Sequence, residues 1–173
     1  MGEENRIRGG VELWGVMTNN SQTLINNPEH RKPFLLVAGI NQGEKTFEDL
    51  GLKNLKEKYF LSTWPIENIR TIIHTKNTQE QAEWLRGQVL ELHIKSLTLC
   101  TSFYHLPRAY LTVLKTFIKA GLSIPIIPWP IGTSIRNPSP EISNPQYDLI
   151  PGEIKRILEY QKTGDVATKT ELE

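Results

Sequence analysis

Between Ser96 and Lys119 the chain changes its period, and this change limits the possible folds more than any other stretch. Leu97-Thr98-Leu99-Cys100-Thr101-Ser102 is short, apolar and β-prone, and reads as a strand. From Leu106 onward, Leu106, Ala109, Tyr110, Val113, Leu114, Phe117 and Ile118 recur at three and four, the spacing of one helical face. Pro107 suits a first helical turn, where its missing N–H is not needed. Lys119 and Gly121 suit a helix end, which favours a cation and then a left-handed residue. A strand that hands over to a helix within a few residues is the repeating unit of an α/β sheet.

Two hydroxyls (Thr101, Ser102), an imidazole (His105) and a guanidinium (Arg108) crowd into that turn. In an open α/β sheet, ligands bind outside the carboxyl ends of the strands. The first helical N–H groups there are unpaired, and the helix dipole favours an anion. Arg108 could grip a phosphate or carboxylate with two parallel hydrogen bonds, with little effect on global stability. In the plainer reading, Ser102 caps the helix, His105 is half-buried and Arg108 is solvated. Both readings stand at this point.

The rest of the chain repeats the pattern. Residues 1–10 read as a loose polar arm and Val11–Met17 as a first strand by alternation. Thr18–Lys32 reads as loop, with a helical turn around Gln22–Ile25. Phe34–Ala38 is a continuous apolar run, as in a strand covered on both faces. It ends in Gly39-Ile40-Asn41-Gln42-Gly43, a candidate phosphate cradle that offers Gly39 and Asn41. A helix opens at Thr46–Asp49 and carries Leu50, Leu55 and Tyr59 on one side, and Ile69–Ile73 is a short strand ending at His74. Thr78 with Gln81 is a capping-box pattern, and Ala82, Leu85, Val89 and Leu92 form the stripe that follows. His74, Thr75, Asn77 and Thr78 are thus a second polar cluster at a strand-to-helix junction.

Ile124–Trp129 has two prolines and reads as an edge strand at best. Residues 131–149 read as a long Ser-, Asn- and Pro-rich loop. A last helix from Pro151 presents Ile154, Ile157, Leu158 and Gln161 on one side and ends at Gly164. These elements predict an α/β class with a mainly parallel sheet of about five strands and four or five helices. The expected layout is an arm over 1–10, one domain over 11–164 and a frayed polar tail over 165–173.

With 173 residues, a net charge of +1 and acids and bases interspersed, the chain has no electrostatic footprint for nucleic acid. No apolar run approaches a membrane span, and the acidic start lacks the features of a secretory signal. One Cys cannot form an internal disulfide and fits a reducing compartment, so a cytoplasmic location is expected. Cys100 in mid-strand reads as a small hydrophobe rather than a nucleophile. The four His lack metal-ligand spacing, so no metal is expected. Trp14, Trp64, Trp84 and Trp129 read as core or cleft walls.

Thr101-Ser102-Phe103-Tyr104-His105-Leu106-Pro107-Arg108-Ala109 resembles the T-S-x-x-H-x-x-R-A signature of the YdcF-like family, a domain of unknown function. Asn77-Thr78-Gln79-Glu80-Gln81-Ala82 is similar to that family's N-T-x-E-N-A element, with Gln81 where Asn is usual. The resemblance covers residues 34–120 best. It implies a Rossmann-like three-layer α/β/α sandwich with a polar cleft built from these turns. It also implies a bacterial setting, a link to cell-envelope upkeep, and a nucleotide-type ligand such as S-adenosylmethionine. The family's Glu before the second element corresponds to Ile72 here, which argues against hydrolysis.

Three functions are compatible with these residues. The first is binding of an anionic, nucleotide-like small molecule by Gly39, Asn41, His74, Asn77, Thr78, Thr101, Ser102, His105 and Arg108. The second is a hydrolase or transferase for a phosphorylated or sugar-linked substrate, with His105 as acid or base and Asp49 or Glu80 supplying any carboxylate. The third is a non-catalytic interaction protein.

Overall fold

The computed structural model describes residues 2–23, 33–39, 51–59, 66–72, 74–131 and 145–172. Their elements in order are α1 (Gly2–Thr23), β1 (Leu35–Ala38), α2 (Leu52–Lys58), β2 (Ile69–Ile72), α3 (Thr78–Glu91), β3 (Leu97–Ser102), α4 (Leu106–Lys119), β4 (Ile126–Ile131) and α5 (Ile150–Thr163). Single 3-10 turns cover Ile66–Asn68, Gln146–Leu149 and Lys169–Glu171. The class is mixed α/β, and both strand pairs, β1–β2 and β3–β4, are parallel. The described residues form these two small sheets and not a three-layer sandwich around five strands. Several expectations fall outside the described residues: the loop from 24 to 32, the turn from Ile40 to Gly43, the helix start at Thr46–Asp49, Trp64, Ile73 and the 132–144 part of the long loop.

The chain divides into two compact units, Ile7–Lys76 on one hand and Met1–Arg6 with Asn77–Glu173 on the other. In the first unit the alternation over Val11–Met17 is overridden, and the segment is helical. The reason is a stripe at helical spacing that begins earlier, at Ile7, and runs through Val11 and Trp14 to Thr18. Trp14 packs with Leu35, Leu55 and Ile69, and Ile7 and Val11 line the same core. Val16 and Met17 are exposed. Trp14 Nε1 donates to the Pro33 carbonyl at 2.8 Å, and Thr18 Oγ1 donates to the Trp14 carbonyl at 2.8 Å, so both buried polar groups are satisfied. Residues 2–10, expected to be a loose arm, belong to the same helix. In β1 the burial falls from Leu35 to an exposed Ala38, so this strand is not covered along its whole length.

In the second unit α3 and α4 follow their predicted stripes, with Ala82, Leu85 and Val89 buried on one helix and Leu106, Ala109, Val113 and Phe117 on the other. Thr112 and Thr116 complete the buried face of α4. Their hydroxyls donate to the Arg108 and Thr112 carbonyls, which frees their methyls to pack. Ile118, placed on that face by spacing, is 39% exposed.

β4 pairs with β3 from Leu97↔Ile126 to Ser102↔Ile131 and has no second strand neighbour among the described residues. Leu97 N donates to the Pro125 carbonyl at 2.9 Å. In a parallel ladder this register turns the amides of Ile127, Trp129 and Ile131 toward β3. Pro128 and Pro130 therefore fall on the outward positions, where no ladder donor is needed.

The α5 helix buries only part of the side expected, along Glu153, Ile157 and Gln161, with Ile157 and Gln161 half-buried. Glu153 is buried, whereas Ile154 and Leu158 are 53% and 56% exposed. The tail is packed rather than frayed. Val166 and Ala167 are 0% exposed, and Ala167 N donates to the Leu111 carbonyl at 3.0 Å. Thr168 and Glu171 form a capping box around the last 3-10 turn, and Lys115 bonds to Glu171. Those contacts hold the Glu171 carboxyl down at about 2, with the Lys115 bond as the chief cause.

Candidate functional site

The turn after β3 is built by local chemistry. His105 N donates to the Ser102 carbonyl at 3.0 Å, closing a four-residue turn. His105 then occupies the N-cap position of α4, with no side-chain cap. Ser102 is therefore not the cap that the plainer sequence reading made it. One turn later, Arg108 reaches back over the helix start.

Arg108 does not offer its fork to solvent. Nε donates to Glu153 Oε2 at 2.5 Å and Nη2 to Glu153 Oε1 at 3.2 Å, a bidentate pair across 45 positions of sequence. Nη1 donates to Thr78 Oγ1 at 3.0 Å. The Arg108 and Glu153 side chains are only 15% and 6% exposed. Arg156, from the next turn of α5, adds a bond to Glu153 Oε1 at 2.7 Å. Burial opposes ionisation of Glu153, but the His105 contact, the Arg108 bonds and the Arg108 charge outweigh it and hold the carboxyl at about 2.

His105 completes the network. Its Nδ1 lies 3.1 Å from Arg108 Nη2 and 3.5 Å from Glu153 Oε2. A guanidinium can only donate, so the shorter contact makes Nδ1 the acceptor and puts the imidazole proton on Nε2. Burial lowers the His105 pKa, and the charges of Arg108 and Arg6 act in the same direction against the pull of Glu153. At neutral pH His105 is an uncharged ring whose Nε2–H points away from the pair that holds it. In this tautomer it is a hydrogen-bond donor and not a general base.

A second arginine meets the same turn. Arg6 donates from Nε to Ser102 Oγ at 2.5 Å and from Nη2 to the Tyr104 hydroxyl at 2.6 Å. Thr101, Ser102 and Tyr104 are all buried.

The sequence-predicted residues divide as follows. Thr78, Thr101, Ser102, His105 and Arg108 belong to the unit just described. Asn77 lies in that unit too, but it serves as the N-cap of α3, accepting from Glu80 N at 2.9 Å, and Thr78 is the first helical residue rather than the cap. Gly39 and His74 lie in the Ile7–Lys76 unit. Gly39 N donates to the Ile72 carbonyl at 3.2 Å, so its amide extends the β1–β2 ladder. Asn41 is outside the described residues. Thr75 is buried, and among the described residues its hydroxyl has no hydrogen-bond partner.

Glu153 is the residue that sequence reasoning missed. Glu80 and Asp49 were the candidate carboxylates; Glu80 caps with its backbone, and Asp49 lies outside the described residues. The available signal was an acid on the otherwise apolar side of a predicted helix. Burial raises the Cys100 thiol to about 11, which keeps it protonated and unreactive. Among the described residues no group of three His, Cys, Asp or Glu is placed to hold a metal ion, and no helix is long and apolar enough to cross a membrane. Comparison of the chain with protein-family models, curated proteins and solved structures finds no match.

Proposed function

We propose that the turn after β3 binds an anionic, nucleotide-like small molecule, and that it does so without acid–base catalysis by His105. The observation that carries this reading is the Arg108–His105 contact. A buried arginine, fixed by Glu153, holds Nδ1 as an acceptor and so commits Nε2–H to donation. A neutral donor at the carboxyl end of a parallel strand and the start of a helix suits a ligand oxygen bearing negative charge. A buried network of ionic groups at such a place is more typical of a binding site than of a structural core. The resemblance to the YdcF-like family points the same way and makes S-adenosylmethionine and nucleotides the first candidates; cytoplasmic location and a link to envelope metabolism are part of this proposal.

A hydrolase or transferase is the weaker reading. Glu153 supplies a carboxylate near His105, but the 3.5 Å contact is longer than the bond from Arg108. The test is calorimetric titration with nucleotides, S-adenosylmethionine and inorganic phosphate. Binding that His105→Ala weakens about tenfold or more supports the reading. Equal binding by wild type and variant rejects it. A pH-dependent hydrolytic rate lost in His105→Ala would favour the catalytic alternative.

A further inference from the structure

Three side chains touch the Glu153 carboxylate, and they do not hold it equally. Oε1 accepts from Arg156 Nη1 at 2.7 Å and from Arg108 Nη2 at 3.2 Å, while Oε2 accepts from Arg108 Nε at 2.5 Å. Among the described residues Glu153 is the one carboxylate that either guanidinium meets, so two permanent positive charges share a single negative one. Burial then separates the two arginines. The Arg108 side chain is 15% exposed, and that of Arg156 is 52% exposed. Were Arg108 to leave, the buried Glu153 charge would keep one bond from a half-exposed side chain, which is a costly state. Arg156 can leave at little cost. Glu153 then keeps its two-point partner, and an exposed pair three residues apart on one helix contributes little.

We infer that Arg156 is the cation that binds the ligand's oxyanion, giving up Glu153 Oε1 to do so. This rests on the anion-binding reading above and names the residue that supplies the charge. Arg108 is committed to Glu153 and Thr78, and His105 offers a neutral donor. Arg156 stands one turn further along α5 and is open to solvent. Its planar fork suits two oxygens of a phosphate or of a carboxylate, which share this mode of recognition. Spacing alone leaves Arg156 among the solvated charges of α5; only the long-range pair of Arg108 with Glu153 brings it to the site.

The experiment is calorimetric titration of the full chain with inorganic phosphate, a nucleoside monophosphate and S-adenosylmethionine, using wild type, Arg156→Gln, Arg156→Lys and Lys155→Gln. Lys155 is the neighbouring cation of α5, 79% exposed and paired with Glu159 at 4.0 Å, so its variant removes the same charge outside the network. Circular dichroism melting checks each fold. The expected result is that Arg156→Gln weakens binding roughly tenfold or more, Arg156→Lys less, and Lys155→Gln less than about twofold. The melting temperature of Arg156→Gln should stay close to that of wild type. Loss confined to the two phosphate probes identifies a phosphate, and loss confined to S-adenosylmethionine a carboxylate; both support the contact. Equal affinity in Arg156→Gln and wild type overturns the inference and leaves the anion site standing. An equal loss in Lys155→Gln overturns it too, because the effect is then one of overall charge. If Arg156→Gln does not fold, or melts as early as Glu153→Ala, the Glu153 bond cannot be given up and the inference falls. A wild type that binds none of the three probes rejects the anion-binding reading itself.

Discussion

Arg108 and Glu153 form a buried, two-point ion pair that ties the start of α4 to the start of α5. Removing one partner leaves the other charged, desolvated and without its two-point partner. Glu153→Ala should therefore destabilise the fold by about 3–5 kcal/mol, read from the urea midpoint. The double variant Arg108→Met/Glu153→Leu should lose much less than the sum of the single variants. Strict additivity would show that the two residues are not coupled.

Acid should destabilise the protein in two stages. The folded His105 pKa lies below its ordinary 6.5, so beneath that pH the unfolded chain takes up a proton that the folded one refuses. The Glu153 pKa is about 2 in the folded state against 4.5 ordinarily, so its contribution is complete above 4.5 and disappears as pH falls toward 2. Both signs make stability decline as pH falls. Urea midpoints across this range check it, and His105→Gln should remove only the upper stage. A midpoint that rises on acidification would contradict both assignments.

Thr75 is 3% exposed, and its hydroxyl has no partner among the described residues. Thr75→Val keeps the shape and removes a buried polar atom without breaking a bond. Stability should stay within about 0.5 kcal/mol of wild type or rise. A loss above about 1 kcal/mol in thermal melts would mean that the hydroxyl is bonded in solution.

Val166 is fully buried in a segment that looked like a polar tail. Val166→Ala should cost about 2 kcal/mol, from two methyl groups and the space they leave. Limited proteolysis should also spare the wild-type segment up to the 3-10 turn at Lys169–Glu171. Cleavage after Lys162 in the native protein would show the tail to be frayed after all.

Cys100, with its thiol raised from 9.0 to about 11, should be alkylated slowly near neutral pH. A shift of this size lowers the thiolate fraction roughly a hundredfold. Iodoacetamide rates on native and urea-unfolded protein measure the ratio; equal rates would remove the case for a buried thiol.

The legible parts of this chain were those where one signal dominated. Stripes at three and four marked α3, α4 and α5, and the glycine at the end of α5 has the left-handed φ of 76° that its position called for. Local alternation misled at Val11–Met17 because seven residues are too few to reveal a stripe that begins at Ile7. Asn77 and Thr78 are both good caps, and only the backbone tells which one caps. The Glu153 pairing with Arg108 is a long-range event, and no spacing rule connects positions 45 apart. The site's chemistry was visible at Ser102, His105 and Arg108, but Arg108's role changed once its partner was known.

The two prolines of β4 matter beyond their own pairing. An apolar strand with Ile127 and Trp129 each 48% exposed is the kind of edge on which another chain can add a strand. Pro128 and Pro130 remove two of the three donors that such an addition would use on the outward side, leaving the Ile126 amide, while the donors facing β3 are intact. Among the described residues, β4 is thus a poor edge for the addition of a further strand. At high concentration the protein should resist edge-to-edge polymerisation, and replacing both prolines with Val should turn a well-behaved solution into one that grows thioflavin-positive fibres.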